Sequence, residues 1–167
     1  MGDLYNMRDK VLSLIENKNI NFENLVRITM LDEKTLKEIL QGLVLEEKIF
    51  LNSSNKYEFI KDTYVIGTLL RTSKGVSYIE SGKQIIYIEP EELHTALKYD
   101  KVVVEVTNNN KGSVKGIIER KNNKLVCEVK EYKNKLILVP FNGNCELRIQ
   151  ASQEQLKDLI IGDRVYT

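Results

Sequence analysis

Hydrophobic spacing changes its period once along the chain, near residue 63, and this change constrains the fold more than any other feature. A pattern written for helices cannot also serve as strands, so the two stretches must build different architectures. In the first stretch Leu4, Met7, Val11, Leu14 and Ile15 recur at helical spacing and mark one buried stripe. Asn21 to Met30 predicts a short second helix with Asn21 as its N-cap. Asp32 then caps a third, DEKTLKEILQGLVLE, with Leu36, Ile39, Leu40 and Leu43 on one face. In KIFLNSSNKYEFI, two apolar and aromatic runs flank the polar turn Asn52-Ser53-Ser54-Asn55, a β-hairpin signal. Three helices and a hairpin predict a winged helix-turn-helix over residues 1–62.

Beyond residue 63 the apolar positions alternate. YVIGTLLR, GVSYIE, QIIYIE, KVVVEV and SVKGIIE read as five strands, with EPEELHTALKYD as a helix between the third and fourth. Five strands with a helix in that place predict an OB-fold over residues 63–121. KLVCEV, KLILVP and CELRI follow as further strands. Aligning Asp100-Lys101-Val102 with Asp163-Arg164-Val165 sets an offset of 163 − 100 = 63, at which Glu91 meets Glu154, Leu93 meets Leu156 and Leu97 meets Ile160. A helix followed by D-K/R-V therefore occurs twice. The second copy reaches the last residue near its fourth strand, so residues 122–167 are expected to form an incomplete second OB barrel and the chain to be part of a longer protein. The expected fold class is α+β: a winged helix-turn-helix followed by tandem OB-fold, cold-shock-like barrels, the second truncated.

Composition removes several classes of function. No apolar run approaches the ~18 residues of a membrane helix, and no secretory segment follows Met1. Cys127 and Cys145 lie 18 apart without a C-x-x-C, and His94 is the only histidine, so zinc and Cys/His catalytic sites lack ligands. A lone pair of cysteines fits a reduced, cytoplasmic setting. Phosphate-loop, dinucleotide and nucleophile-elbow motifs are missing, and no Asp-rich run offers a two-metal centre. No catalytic residue and no cofactor is expected in this chain.

Charge is informative only by segment. The net charge of +1 is compatible with almost any partner. Residues 1–62 hold 9 basic and 11 acidic residues, whereas residues 63–167 hold 16 and 13. Within residues 111–135 there are 8 basic residues against 3 acidic, a local stripe able to follow a phosphate backbone. OB barrels hold single strands across their second and third strands, with bases stacked on exposed aromatics. Tyr78 and Tyr87 fall on those two strands, with Arg71, Lys74, Lys83 and Lys101 near them in sequence. Alternation leaves two options for these tyrosines: outward, stacking bases, or inward, with only the hydroxyl wet. The third helix is a poor reader of DNA, since Lys34 and Lys37 are offset by Glu33 and Glu38.

The order of a winged helix, YVIGTLLR with GVSYIE, IYIEPEEL, YDKVVVEV and GSVKGIIER resembles the N-terminal part of bacterial ribonuclease R. That family begins with a helix-turn-helix region and two cold-shock-type OB domains ahead of a catalytic domain. The resemblance implies a processive, Mg²⁺-dependent 3′→5′ exoribonuclease as parent, with the metal-binding Asp cluster outside this chain. It further implies single-stranded or structured RNA as partner, no membrane, and docking of this region on the parent's catalytic domain. The family's aromatic strand is only partly kept: Val76 replaces one aromatic, while Tyr78 and, on the next strand, Tyr87 match. The glycine before D-R-V is Tyr99 in the first copy and Gly162 in the second. KLILVP carries no aromatic, so backbone contacts there fall to Lys133, Lys135 and Arg148. The other reading of the residues is a winged-helix transcriptional regulator whose β region binds an effector or partner.

Overall fold

The computed structural model describes residues 2–121, 125–141, 149 and 151–166. The helical stretch forms α1 (Gly2–Asn17), α2 (Phe22–Thr29) and α3 (Glu33–Leu45). The expected caps are in place: Asn21 Oδ1 accepts from the Asn24 amide at 2.9 Å and Asp32 Oδ1 from the Thr35 amide at 2.9 Å. Met30 ends α2 in the left-handed conformation, φ 56°. Val11, Ile15, Leu25, Leu36, Ile39, Leu40, Leu43 and Ile49 form one buried cluster. Each such aliphatic side chain contributes roughly 1.5–3 kcal/mol by leaving water. The core takes the later turns of α1. Met7, expected in the stripe, is instead exposed.

β1 (Ile49–Leu51) and β2 (Tyr57–Phe59) make the hairpin, with Phe50 opposite Glu58. Its turn is held by Asn52, whose Oδ1 accepts from the amides of Ser54 and Lys56 at 3.0 and 3.1 Å.

The alternating stretch builds a six-strand, nearly closed barrel-like sheet compatible with an OB-fold. Its strands are β3 (Tyr64–Thr68), β4 (Leu70–Arg71), β5 (Ser77–Ser81), β6 (Gln84–Ile88), β7 (Lys101–Val106) and β8 (Lys111–Glu119), in the order β3-β7-β8-β6-β5-β4. The two ends of that order, β3 and β4, are halves of one continuous stretch interrupted at Leu69. One run of chain thus pairs with β7 on one side and β5 on the other. Parallel pairing of β6 with β8 completes the circuit. Inside lie Leu69, Ile79, Ile86, Ile88, Leu93, Ala96, Val102, Val104 and Val114.

EPEELHTALKYD is not the helix expected. Only Pro90–Glu92 is helical, as a single 3-10 turn, and His94 is left-handed at φ 51°. Side chains capture the backbone groups a longer helix would need. Asp100 Oδ2 accepts from the Leu97 amide at 2.9 Å, and Arg120 Nη1 donates to the Thr95 carbonyl at 2.8 Å.

A third cluster, Cys127, Val129, Leu138 and Leu156, lies under β9 (Val126–Tyr132), β10 (Lys135–Pro140), α4 (Gln153–Leu156) and β11 (Arg164–Tyr166). The sheet order is β10-β9-β11. CELRI falls mainly outside the described residues; its Ile149 bridges antiparallel to Leu138.

The repeat at an offset of 63 recurs as a set of hydrogen bonds. The Leu97 amide donates to Asp100 Oδ2 at 2.9 Å, and the Ile160 amide donates to Asp163 Oδ2 at 3.0 Å. The Tyr99 amide donates to the Leu69 carbonyl at 2.7 Å, as the Gly162 amide does to that of Val129 at 2.9 Å. Leu93 and Leu156 are both buried. Tyr99 and Gly162 are both left-handed, at φ 76° and 95°, so the turn demands that conformation whichever residue occupies it.

Candidate nucleic-acid interface

Alternation on β5 and β6 decides where the two tyrosines point. Ser77 and Ile79 are buried on β5, and Ile86 and Ile88 on β6, so the intervening Tyr78 and Tyr87 face outward. They are directly opposite each other in the antiparallel ladder, with ring centroids 6.5 Å apart and planes tilted by 52°. Tyr87 is exposed and Tyr78 half-buried, and Leu70 of β4 lies opposite Tyr78. Val76 and Ile85 are exposed beside them. The result is a mainly apolar and aromatic strip across three strands. Such a strip can stack bases of any identity.

The cations sit around this strip unequally. Arg71 Nε donates to the Gly75 carbonyl at 3.1 Å, shaping the turn between β4 and β5. Lys74 is exposed in that turn, and Lys83 is exposed in the two-residue turn between β5 and β6. Lys101 begins β7, away from the strip, and pairs with Glu47, two residues past the end of α3. Lys133 occupies the left-handed turn between β9 and β10, its Nζ 5.3 Å from the Tyr132 ring centroid. Lys135 opens β10 opposite Tyr132. Arg148 lies outside the described residues.

Two positions join the surface that sequence reasoning passed over. Lys111 of β8 lies beside Tyr87 in the parallel pairing, and its Nζ is 2.8 Å from Glu89 Oε1. That hydrogen bond, reinforced by the charge of Glu89, raises the pKa of Lys111. Lys111 belonged to the basic stripe, but only the crossover of β8 onto β6 reveals its neighbour. Tyr132 supplies an exposed aromatic to the second sheet on β9, where KLILVP on β10 has none. Acid is present too: Glu80 is exposed opposite Ile85. Among the described residues no three or more His, Cys, Asp or Glu side chains gather in a way that could hold a metal ion. Nor is any described helix long and apolar enough to cross a membrane.

No family model matches this sequence, and no curated protein matches it. Among solved structures, the apo form of Mycoplasma genitalium RNase R is similar at a TM-score of 0.43 and 14% identity. The match covers 61% of this chain and 18% of that one.

Proposed function

We propose that this chain is an RNA-binding region, with single-stranded RNA lying across β5 and β6 and its bases stacked on Tyr78 and Tyr87. The observation that carries this reading is the cross-strand pairing of two outward-facing tyrosines on the second and third strands of a barrel-like sheet. Lys74, Lys83 and Arg71 border the strip and would follow the phosphates. Lys133 and Lys135 would extend the path to the second sheet, joined there by Tyr132. Lys101 would contribute only by releasing Glu47.

In the fuller form of the proposal, residues 1–62 are a winged helix, residues 63–121 a cold-shock-like OB domain and residues 122–167 belong to a second one. They would form the front end of a ribonuclease R-like 3′→5′ exoribonuclease, gripping RNA and passing it to a docked, Mg²⁺-dependent catalytic domain outside this chain. The sequence blocks YVIGTLLR, IYIEPEEL, YDKVVVEV and GSVKGIIER support it. The alternative of a transcriptional regulator gains no support from α3. Lys37, one of two lysines it would use on DNA, is 3.6 Å from Glu33.

The test is a low-salt titration with fluorescent oligo(A) of about 12 nucleotides, within the span one or two OB barrels cover. Micromolar, salt-sensitive binding is expected. Tyr87→Ala and Tyr78→Ala should each remove about 1–3 kcal/mol, the worth of one stacked base. Lys83→Ala should weaken binding more than Lys101→Ala. Absence of binding, or full affinity in both tyrosine variants, refutes the reading.

A further inference from the structure

A cleft of about 300 Å³ lies between the β1–β2 hairpin and β8, on a part of the barrel that the tyrosine strip does not use. Its lining is partly apolar, from Leu51 and Ile117, and partly polar, from Asn52, Ser53, His94 and Thr95. Lys115 and Arg120 supply the charge, and no carboxylate lines the cleft among the described residues. Both cations are paired, Lys115 with Glu105 and Arg120 with Asp100, but the two carboxylates lie outside the lining and the cations within it. The cleft contrasts with the tyrosine strip, which includes Glu80 and borders Glu89.

Three features show that the cleft is built rather than left over. β8 carries two bulges against β7. The partner of Val103 is Gly116 and that of Val104 is Val114, leaving Lys115 extra; Lys101 pairs with Glu119 and Val102 with Ile117, leaving Ile118 extra. Both extra residues line the cleft. Bulges re-aim side chains and commonly adjoin functional surfaces. Arg120 is fixed by three hydrogen bonds, from Nη1 to the Thr95 carbonyl at 2.8 Å and Asp100 Oδ2 at 2.9 Å, and from Nη2 to Thr95 Oγ1 at 3.3 Å. A guanidinium carries five N–H donors, so donors remain for a ligand. Lys115 is held 2.9 Å from Glu105, which lies outside the lining.

The strand that builds the cleft also reaches the tyrosines. Lys111, at the start of β8, adjoins Tyr87, and Lys115 is four residues further along, roughly 13 Å at the rise of an extended strand. We infer that the cleft seats the phosphate–sugar backbone of the same single-stranded RNA, as a second subsite reached along β8. This rests on the RNA-binding reading and adds to it a second, electrostatic grip. The apolar lining would take the ribose, and Lys115 and Arg120 the phosphodiester.

The test uses ¹⁵N-labelled full chain titrated with oligo(A) of about 12 nucleotides. The amides of Ser53, His94, Ile117 and Ile118 should shift together with those around Tyr87. Ser53→Glu puts a carboxylate into the cleft from an exposed turn, and should weaken binding about 5-fold while leaving the Tyr87 shifts in place. Ser53→Gln, which matches the size without the charge, should weaken binding less than Ser53→Glu does. Shifts at the tyrosines without shifts in the cleft, or an unchanged affinity in Ser53→Glu, overturn the second subsite and leave the first standing. Shifts in the cleft alone overturn the tyrosine site and, with it, the shared path along β8. No shift at either place overturns both.

Discussion

The ring of Phe50 fills the space that a side chain at position 116 would need. A Cβ on Gly116 would lie 2.3 Å from Phe50 Cδ2 and 2.9 Å from the Leu51 carbonyl oxygen. Neither atom can give way easily, because Phe50 is fully buried and stacks edge-on against Tyr64, centroids 5.8 Å apart. Gly116→Ala should therefore destabilise the protein by about 1–3 kcal/mol, the range for overpacking. Thermal unfolding measures it. A double variant with Phe50→Ala should cost less than the sum of the single changes. A Gly116→Ala protein as stable as the wild type would show that hairpin and barrel are not in tight contact.

Asp100 and Asp163 hold equivalent turns with unequal numbers of partners among the described residues. Asp100 is buried and accepts from the amides of Leu97 and Lys121 and from Arg120. Asp163 accepts from the Ile160 amide. Removing a carboxylate leaves its donors unsatisfied, at about 1–3 kcal/mol for a buried group. Denaturant unfolding should show Asp100→Ala to be clearly more destabilising than Asp163→Ala. Equal losses would contradict the difference in their surroundings.

Tyr99 is the non-glycine occupant of the left-handed turn position that Gly162 fills in the second copy. Its side chain is about half exposed, at 49%, and so has little packing to lose. A non-glycine residue held there costs on the order of 1 kcal/mol or more. Tyr99→Gly should raise the melting temperature, the reverse of what a tyrosine deletion usually does. Gly162→Tyr should lower it.

Alkaline stability should carry the signature of Tyr64. Its hydroxyl donates to Glu58 Oε1 at 2.5 Å, and burial first, then the hydrogen bond and charge of Glu58, raise its pKa far above the usual range. The folded chain thus keeps a phenolic proton that the unfolded chain releases near pH 10. Where the folded state binds more protons, stability falls as pH rises. The contribution is fully present below about pH 10 and is lost above it. Across that pH the Tyr64→Phe protein should lose stability less steeply than the wild type; parallel curves would remove Tyr64 as the cause.

Local signals made much of the fold legible, and non-local pairing hid the rest. The caps at Asn21 and Asp32, the Asn52 turn and the limits of KVVVEV and KLILVP are each set by a few adjacent residues. The segment after Pro90 departs from a helix because its backbone is taken up by Asp100, its own last residue, and by Arg120, 20 residues further along. The outward direction of Tyr78 and Tyr87 could be set out as one of two options, and only the register of β5 against β6 chooses between them. Lys111 could be seen as a charge but not as the neighbour of Tyr87. The cleft between the hairpin and β8 left no trace in either segment alone, because its walls come from residues more than sixty positions apart.

The split at Leu69 has a consequence for how the barrel opens. Since the run from Tyr64 to Arg71 stitches both seams, neither seam has an independent flap to lift. Fraying at β7 pulls on the same backbone that holds β5, so amide protons along Tyr64–Thr68 and Ser77–Ser81 should exchange with solvent as a single cooperative unit. A strand threaded across the tyrosines would then be gripped by a surface that is either wholly formed or wholly absent.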